Sequence, residues 1–558
     1  MTQRNGGEIL INCLIALGAK TSFGVPGESY LAVLDALHDT KGKLDFVLCR
    51  NEGGAAFMAA AHGKLTGQPG ICMVTRGPGA TNASIGVHTA AQDSVPMLLF
   101  IGQVGTDLMG REAFQEIDYS AFFGSVAKWV TQIDHVDRIP EITARAWTTA
   151  ISGRPGPVVI ALPENMLTDL SAVATLTAPA PVHEPAPSAA AVTACLEHLK
   201  SAQRPLIIAG GGGWTPQGRA ALESFGEASD IPVLAAFRFQ DLYDNHKPTY
   251  AGDAGVGMNP ATKSLITNAD VILALNIRFG EMTTDAYTLL DVPNPQQTLI
   301  HCHSSDRELG KIYIPDLAIH SGPNEIAQAL AKTPVSGNRG TWRTEARAGY
   351  IASFEVPDLP SPVDMGKVMT HLRSTLPQDA ILTNGAGNFA TWPNKFFRFG
   401  PDQRLLAPQS GAMGYGLPAA IAAKVTHPDR TIICFAGDGD FQMNCPELGT
   451  AMQAGAQPII LILNNGTYGT IRMHQERTYP ARVSGTDLEN PDFCAIAQAY
   501  GFHAERVDTT DAFTDAFERA LAAPTGAVLD LNVSAEALTP RQSLSQIRAT
   551  GQTRPSDS

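Results

Sequence analysis

Ile432-Ile-Cys-Phe-Ala-Gly437-Asp438-Gly439-Asp440 and, one helix later, Pro458-Ile-Ile-Leu-Ile-Leu463-Asn464-Asn465 decide how this chain is read. Both are continuous apolar runs that stop abruptly at loop residues, the form of strands buried on both faces of a parallel sheet. Parallel neighbours need a crossover, and the stretch between them is long enough for a helix. One strand therefore delivers an aspartate at its carboxyl end and the next an asparagine at the same end. An Asp carboxylate and an Asn carbonyl are hard oxygens that suit Mg²⁺, whose remaining positions favour phosphate oxygens and water. Gly437 and Gly439 let the backbone approach closely, and the start of the following helix attracts an anion. Gly-Asp-Gly alone is more often a plain strand-to-helix turn; the Asn-Asn closing the next strand is what points to a metal.

The same pattern extends outward. Short apolar runs at Phe46–Leu48, Gly70–Val74, Met97–Gly102, Val158–Leu162, Pro205–Ala209 and Val271–Leu275 alternate with helical stretches of small residues. The fold class is α/β, with three doubly wound parallel-sheet domains. Ala178–Ser188, rich in Ala and Pro, reads as an extended tether, and a second break spans Pro334 to Pro362 around a short helical stretch. Domains are placed at 1–176, 189–334 and 362–537, and the polar tail 538–558 is expected to fray apart from one short helix. The first and last domains echo each other, each with a strand, a glycine turn (Val74-Thr-Arg-Gly-Pro-Gly-Ala80; Phe435 to Asp440), a helix and a proline-led strand.

A chain of 558 residues with 44% apolar residues has material for several buried cores. A net charge of −14 without any Lys/Arg-rich block argues against nucleic acid or an anionic membrane as partner. No apolar run approaches the ~18 residues of a membrane span. The N-terminus lacks the shape of a signal peptide, and eight scattered cysteines form no Cys-x-x-Cys pair, so a cytoplasmic location is expected.

Further segments carry chemistry-bearing residues. Glu52, in Cys49-Arg-Asn-Glu52-Gly-Gly, follows a strand and opens a small-residue helix, where the helix dipole favours a carboxylate in any case. Glu28, in Gly24-Val-Pro-Gly-Glu28-Ser, has the same two readings. Met413, in Ser410-Gly411-Ala-Met413-Gly, is by itself an ordinary core residue. Gly210-Gly-Gly-Gly213 after a buried strand is a weak dinucleotide signal and more readily a turn.

Taken together, these residues resemble the thiamine diphosphate enzymes, specifically the acetolactate synthase-like group that includes benzaldehyde lyase and 2-oxo acid decarboxylases, over nearly the whole chain. The resemblance implies pyrimidine-binding, middle and diphosphate-binding domains in that order. It implies that Asp438, Asn465 and the carbonyl of Thr467 hold Mg²⁺ against the cofactor diphosphate. Gly437, Gly439, Asp440, Thr470 and the loop Gly385-Ala-Gly387-Asn388 would lie near the cofactor, although that loop lacks the polar side chains common in relatives. Glu52 would bind the aminopyrimidine ring nitrogen, Met413 would wedge between the two rings, and the Gly411 carbonyl would accept the 4′-amino hydrogen. Gly77-Pro78-Gly-Ala-Thr-Asn82 matches the pyrimidine-side loop, preceded by Arg76 where relatives often have a small residue.

On the substrate side, Glu28 matches the acidic residue of decarboxylases and Gln115 a pocket glutamine of carboligases, with Phe114 beside it. Met282 stands near the place of a substrate-side arginine, and His474 replaces an acceptor-choosing tryptophan. The implied activity is C–C bond cleavage and ligation of a 2-oxo acid or related small carbonyl compound, that is, a lyase, carboligase or transferase. A non-ligating 2-oxo acid decarboxylase is the alternative, and a cofactor-binding regulatory protein is the non-enzyme alternative. In the family, the glutamate and the metal site of one centre come from different subunits, which implies a homodimer or homotetramer. Many relatives also hold FAD in the middle domain without using its redox chemistry; for this chain the sequence leaves FAD open.

Overall fold

The computed structural model describes residues 3–174, 176–178, 182–337, 339–358 and 360–553. Three six-stranded sheets, each wholly parallel, follow one another along the chain. The N-terminal sheet runs, in spatial order, Asp45–Leu48, Thr21–Gly24, Gly70–Val74, Met97–Gln103, Pro157–Pro163, Trp129–Gln132. The C-terminal sheet runs Arg404–Leu406, Ile381–Asn384, Ile432–Gly437, Ile459–Asn464, Ala527–Asn532, His503–Val507. Counting strands along the chain within each lobe, both sheets have the order 2-1-3-4-6-5. The faint echo between the two outer lobes is thus a shared topology. The central sheet, Tyr250–Ala254, Val233–Ala236, Pro205–Ala209, Val271–Leu275, Thr298–His303, Leu317–His320, has the order 3-2-1-4-5-6.

All eight continuous apolar runs form strands, and all but Asp45–Leu48 lie inside a sheet, buried on both faces. The two outer lobes share one core. Helix Glu52–Thr66 buries Ala55, Ala56, Ala59 and Ala60, and helix Gly416–Thr426 buries Ala419, Ala420, Ala422 and Ala423 in the same cluster. Side chains this small let two helices and the sheets beneath them pack closely.

The tether between lobes is extended where it is described, residues 179–181 lying outside the described residues. It is not free: Gly322 N–H donates to Pro185 O at 2.9 Å and Asn324 N–H to Glu184 at 3.1 Å. The short helix of the second break, Trp342–Ala352, packs on the central core, with Tyr350 buried there and Trp342 Nε1 donating to Pro205 O at 2.8 Å. In the tail, helix Leu544–Gln552 opens on a reciprocal Ser543/Gln546 cap and docks on helix Gly469–Thr478; residues 554–558 lie outside the described residues.

Candidate active site

In an open parallel sheet, ligands bind beyond the carboxyl ends of the strands, where the strand order reverses. In the C-terminal sheet that point lies between Ile381–Asn384 and Ile432–Gly437, the strands that deliver the Gly385–Asn388 loop and the Asp438–Asp440 turn. A cavity of about 240 Å³ opens there. Asp438 and Asn465 both line it, as do Thr467 and Met413.

Asp438 is 3% exposed, and its carboxylate organises the floor of the cavity. It accepts from Gly439 N–H at 2.9 Å, Gly466 N–H at 2.7 Å and Asn490 Nδ2 at 2.8 Å. Asn490 also donates to Asn464 Oδ1 at 2.9 Å, tying the two strand ends together. Asn490 carries no motif, and only its contacts reveal it. Asn465 Oδ1 accepts Thr467 N–H at 3.1 Å, and Thr467 Oγ1 donates to Thr486 O at 2.8 Å. Gly439 is required by close approach: a Cβ there would stand 2.4 Å from the Tyr468 ring.

Asp440 is turned inward. Its Oδ1 accepts Gly414 N–H at 2.9 Å and Ala386 N–H at 3.2 Å, so it joins the 385–388 loop to the loop carrying Gly411 and Met413. Burial pushes its carboxyl up to about 7, against the pull of those two amides. Thr470 Oγ1 accepts Asn388 N–H at 2.9 Å and lies 3.0 Å from Asn388 Oδ1, fixing the loop that includes Gly387.

The N-terminal lobe builds a second cluster. Glu52 opens helix Glu52–Thr66 and its Oε2 accepts Asn82 Nδ2 at 2.9 Å; Asn51 caps the helix. Gly77 and Pro78 start helix Gly77–Asp93, and Gly77 N–H donates to Gln115 O at 2.9 Å. Arg76, 8% exposed, pairs with Glu164 at 2.6 Å and stands 3.8 Å from Glu28, which is largely exposed. Phe114 is exposed. Glu52, Asn82, Glu28, Phe114 and Gln115 all lie apart from the Asp438 cavity, whose lining includes no residue of the N-terminal lobe. The chain thus carries two separate clusters of chemistry-bearing residues, and the N-terminal one does not line the Asp438 cavity.

Met282 lines a separate chamber of about 470 Å³ among the three lobes, which shares Gly387, Asn388, Gly411 and Thr470 with the Asp438 cavity. His474 is exposed on helix Gly469–Thr478 and lines neither space; partial burial and nearby Arg477 lower its pKa.

The central sheet has the strand order of dinucleotide-binding folds. Its glycine turn is closely packed by protein at Gly211 and Gly212. Asn276, held at φ +55°, donates from Nδ2 to Gly212 O at 2.8 Å and receives Ser304 Oγ at 3.1 Å. A Cβ on Gly212 would stand 2.3 Å from Ser94 O of the N-terminal lobe. Gly211 and Gly212 admit Asn276 and Ser94, whereas a Cβ on Gly213 would meet open space.

Comparison with known proteins agrees with this layout. Residues 4–122 match the family model described as the N-terminal TPP binding domain of thiamine pyrophosphate enzymes, residues 192–330 the central domain, and residues 385–531 the C-terminal TPP binding domain. The chain is 32% identical to an acetolactate synthase large subunit of Parasynechococcus marenigrum over 548 residues, covering 95% of this chain and 87% of the relative. It is 30% identical to the acetolactate synthase isozyme 2 large subunit of Escherichia coli, covering 91% of each. It is 32% identical to a probable acetolactate synthase large subunit of Methanocaldococcus jannaschii, covering 96% of this chain and 93% of that one. The chain belongs to the thiamine diphosphate-dependent enzymes, in their acetolactate synthase-like group.

Proposed function

We propose that this enzyme is a thiamine diphosphate- and Mg²⁺-dependent carboligase that takes an acyl fragment from a 2-oxo acid and joins it to a small carbonyl acceptor. The observation that carries this reading is the presence, in one chain, of the Asp438–Asn465 cavity and a separate Glu52–Asn82 cluster. Two copies related by a twofold axis, the N-terminal lobe of each against the C-terminal lobe of the other, would bring the glutamate of each to the cavity of the other. A homodimer is therefore the minimum working unit in this reading, and a homotetramer repeats it.

The donor set fits the proposed cofactors. Among the described residues no group of three His, Cys, Asp or Glu side chains is placed to hold a metal, and Mg²⁺ does not need one. One carboxylate, Asp438, with Asn465 Oδ1 and the Thr467 carbonyl, leaves positions for diphosphate oxygens. Thiamine diphosphate, when bound, supplies the electron sink for the carbanion.

The chain's own residues do the rest. Glu52 holds and returns a proton at its carboxyl, oriented by Asn82. Gly411 offers its carbonyl as an acceptor, Met413 forms part of the cavity wall, and Asp440 fixes the loops that carry both. Gln115 and Glu28 are the polar groups that face the substrate, and Phe114 and Met282 are the apolar surfaces that exclude water. Asn276 and Ser94 pack against the glycine turn of the central domain, but a cavity of about 1200 Å³ lined by Arg154, Arg278, Ser304, Asp306 and His320 lies at the carboxyl end of its sheet, and the absorbance spectrum of the purified protein decides whether flavin binds there. The eight unpaired cysteines support action in the cytoplasm, and no helix among the described residues is long and apolar enough to cross a membrane.

The test is NMR product analysis with thiamine diphosphate, Mg²⁺ and a panel of 2-oxo acids, with and without aldehyde acceptors. A 2-hydroxy ketone product supports the carboligase. Aldehyde as sole product moves the assignment to a decarboxylase, the reading that Glu28 beside Arg76 favours. No product from any 2-oxo acid overturns both.

A further inference from the structure

Arg238 is the most unusual charge in the molecule. It follows strand Val233–Ala236, is 6% exposed, and has φ +67°, a backbone conformation that a side chain of this size rarely adopts. Its guanidinium makes one long hydrogen bond, from Nη1 to Gly385 O at 3.3 Å, and its Nε is buried without a partner.

The acids near it are already engaged. Asp93 is paired with Lys64 at 2.9 Å, Asp253 with Lys395 at 2.7 Å, and Asp440 accepts two backbone amides. Arg238 forms no ion pair among the described residues. Burial lowers its pKa to about 10, which leaves it cationic at neutral pH. A buried cation without a direct ion pair is costly, and so is a side chain at positive φ. Two unfavourable features at one position point to a use.

Arg238 lines the 470 Å³ chamber that shares the Gly387–Asn388 loop, Gly411 and Thr470 with the Asp438 cavity. Of the other cations on that chamber, Lys395 is neutralised by Asp253, and Arg278 donates to Gln92 Oε1 at 3.0 Å. Met282, on the same wall, brings no charge.

We propose that Arg238 is the anion anchor of the substrate chamber, pairing with the carboxylate of the acidic substrate and thereby selecting 2-oxo acids over neutral carbonyl compounds. This rests on the reading of the enzyme as one that acts on 2-oxo acids. At this point the central lobe reaches the chamber beside the Asp438 cavity, so through Arg238 it contributes to specificity.

The variant Arg238→Gly removes the charge and suits φ +67°, so it is expected to melt no lower than the parent protein. Oxamate, an unreactive isostere of a short 2-oxo acid, is titrated by calorimetry into protein loaded with thiamine diphosphate and Mg²⁺. Arg238→Gly is expected to weaken oxamate binding at least about tenfold, in line with loss of a charge-assisted pair, with cofactor affinity held within about twofold. Arg238→Lys is expected to recover part of the oxamate affinity. In kinetics, Arg238→Gly is expected to raise KM for a 2-oxo acid and to leave KM for 2,3-butanedione nearly unchanged.

Unchanged oxamate affinity in Arg238→Gly, absence of oxamate binding to the parent, or parallel loss of cofactor affinity would each overturn the assignment. Oxamate binding that depends on Arg238, in a protein that turns over no 2-oxo acid, supports the anchor and defeats the proposed reaction instead.

Discussion

Glu476 and Arg548 meet in a paired ion bridge, with Arg548 Nε and Nη2 donating at 2.9 and 2.8 Å to a carboxylate that is 0% exposed. Glu476 also accepts Arg472 Nε at 3.2 Å and Ala481 N–H at 2.8 Å. The pair clamps the C-terminal helix onto the helix whose first turn supplies Thr470 to the cofactor cavity.

Hydrogen bonds from Arg548, together with its charge and that of Arg472, hold the Glu476 carboxyl down to about 2. The folded-state pKa lies below that of the unfolded chain, so the clamp contributes fully above the ordinary glutamate range, about 4.3, and fades as pH falls from there toward 2. Hydrogen exchange of residues 544–552 is expected to accelerate over that window in the parent protein. Arg548→Ala, which leaves a buried carboxylate short of a partner, is expected to free the helix at neutral pH at a cost of about 3 kcal/mol. An exchange rate unchanged by Arg548→Ala would refute the clamp.

Glu52→Gln keeps the shape of the side chain and its contact with Asn82 but cannot give up a proton. Turnover is expected to fall by at least about a hundredfold, the usual scale of general acid–base catalysis, with cofactor affinity changed far less. Steady-state rates beside a cofactor titration separate the two.

Asp438→Ala removes the proposed metal carboxylate and also strands the Gly466 amide and Asn490. Cofactor binding is expected to be lost at ordinary Mg²⁺ concentrations. Chelation of the parent enzyme is expected to abolish activity, and added Mg²⁺ to restore it. Retention of full activity in a metal-free protein would remove Asp438 from this role.

Mixing is the sharper test of how the two clusters combine. Glu52→Gln and Asp438→Ala proteins, each inactive, are refolded or co-expressed together. A mixed dimer holds one centre with both defects and one with neither, so random pairing should return about a quarter of parental activity. Activity that stays at the level of either variant would show that each chain completes its own centre.

Seven interior strands were legible because burial on both faces favours an unbroken apolar run, as at Ile459–Leu463, while interior strands that mix in polar residues, such as Thr21–Gly24 and Ile381–Asn384, were not. Of the edge strands only Asp45–Leu48 was legible: His503-Ala-Glu-Arg-Val507 and Arg404-Leu-Leu406 carry charges that their exposed side tolerates, and nothing local distinguishes them from loops. At the site, Asp438 and Asn465 were readable because a turn motif and a strand end both advertise them. Asn490, Arg238 and Asn276 matter only through what the tertiary fold places beside them, and a single residue in a loop has no periodicity to betray it. The tail shows the same limit from the other side. Its helix is short and polar, and a salt bridge to Glu476, distant in sequence, gives it a place.

The shared 2-1-3-4-6-5 order of the outer lobes has a consequence for how the enzyme comes into being. The shared order puts a switch point at the same end of each sheet, where one lobe carries Glu52 and the other Asp438 and Asn465, the proposed metal ligands. In the proposed dimer, a newly made chain carries both tools and can use neither alone. Such a chain would stay silent until it met a second copy, so specific activity is expected to fall on dilution, and the cell's own stock of the protein would set how much of it works.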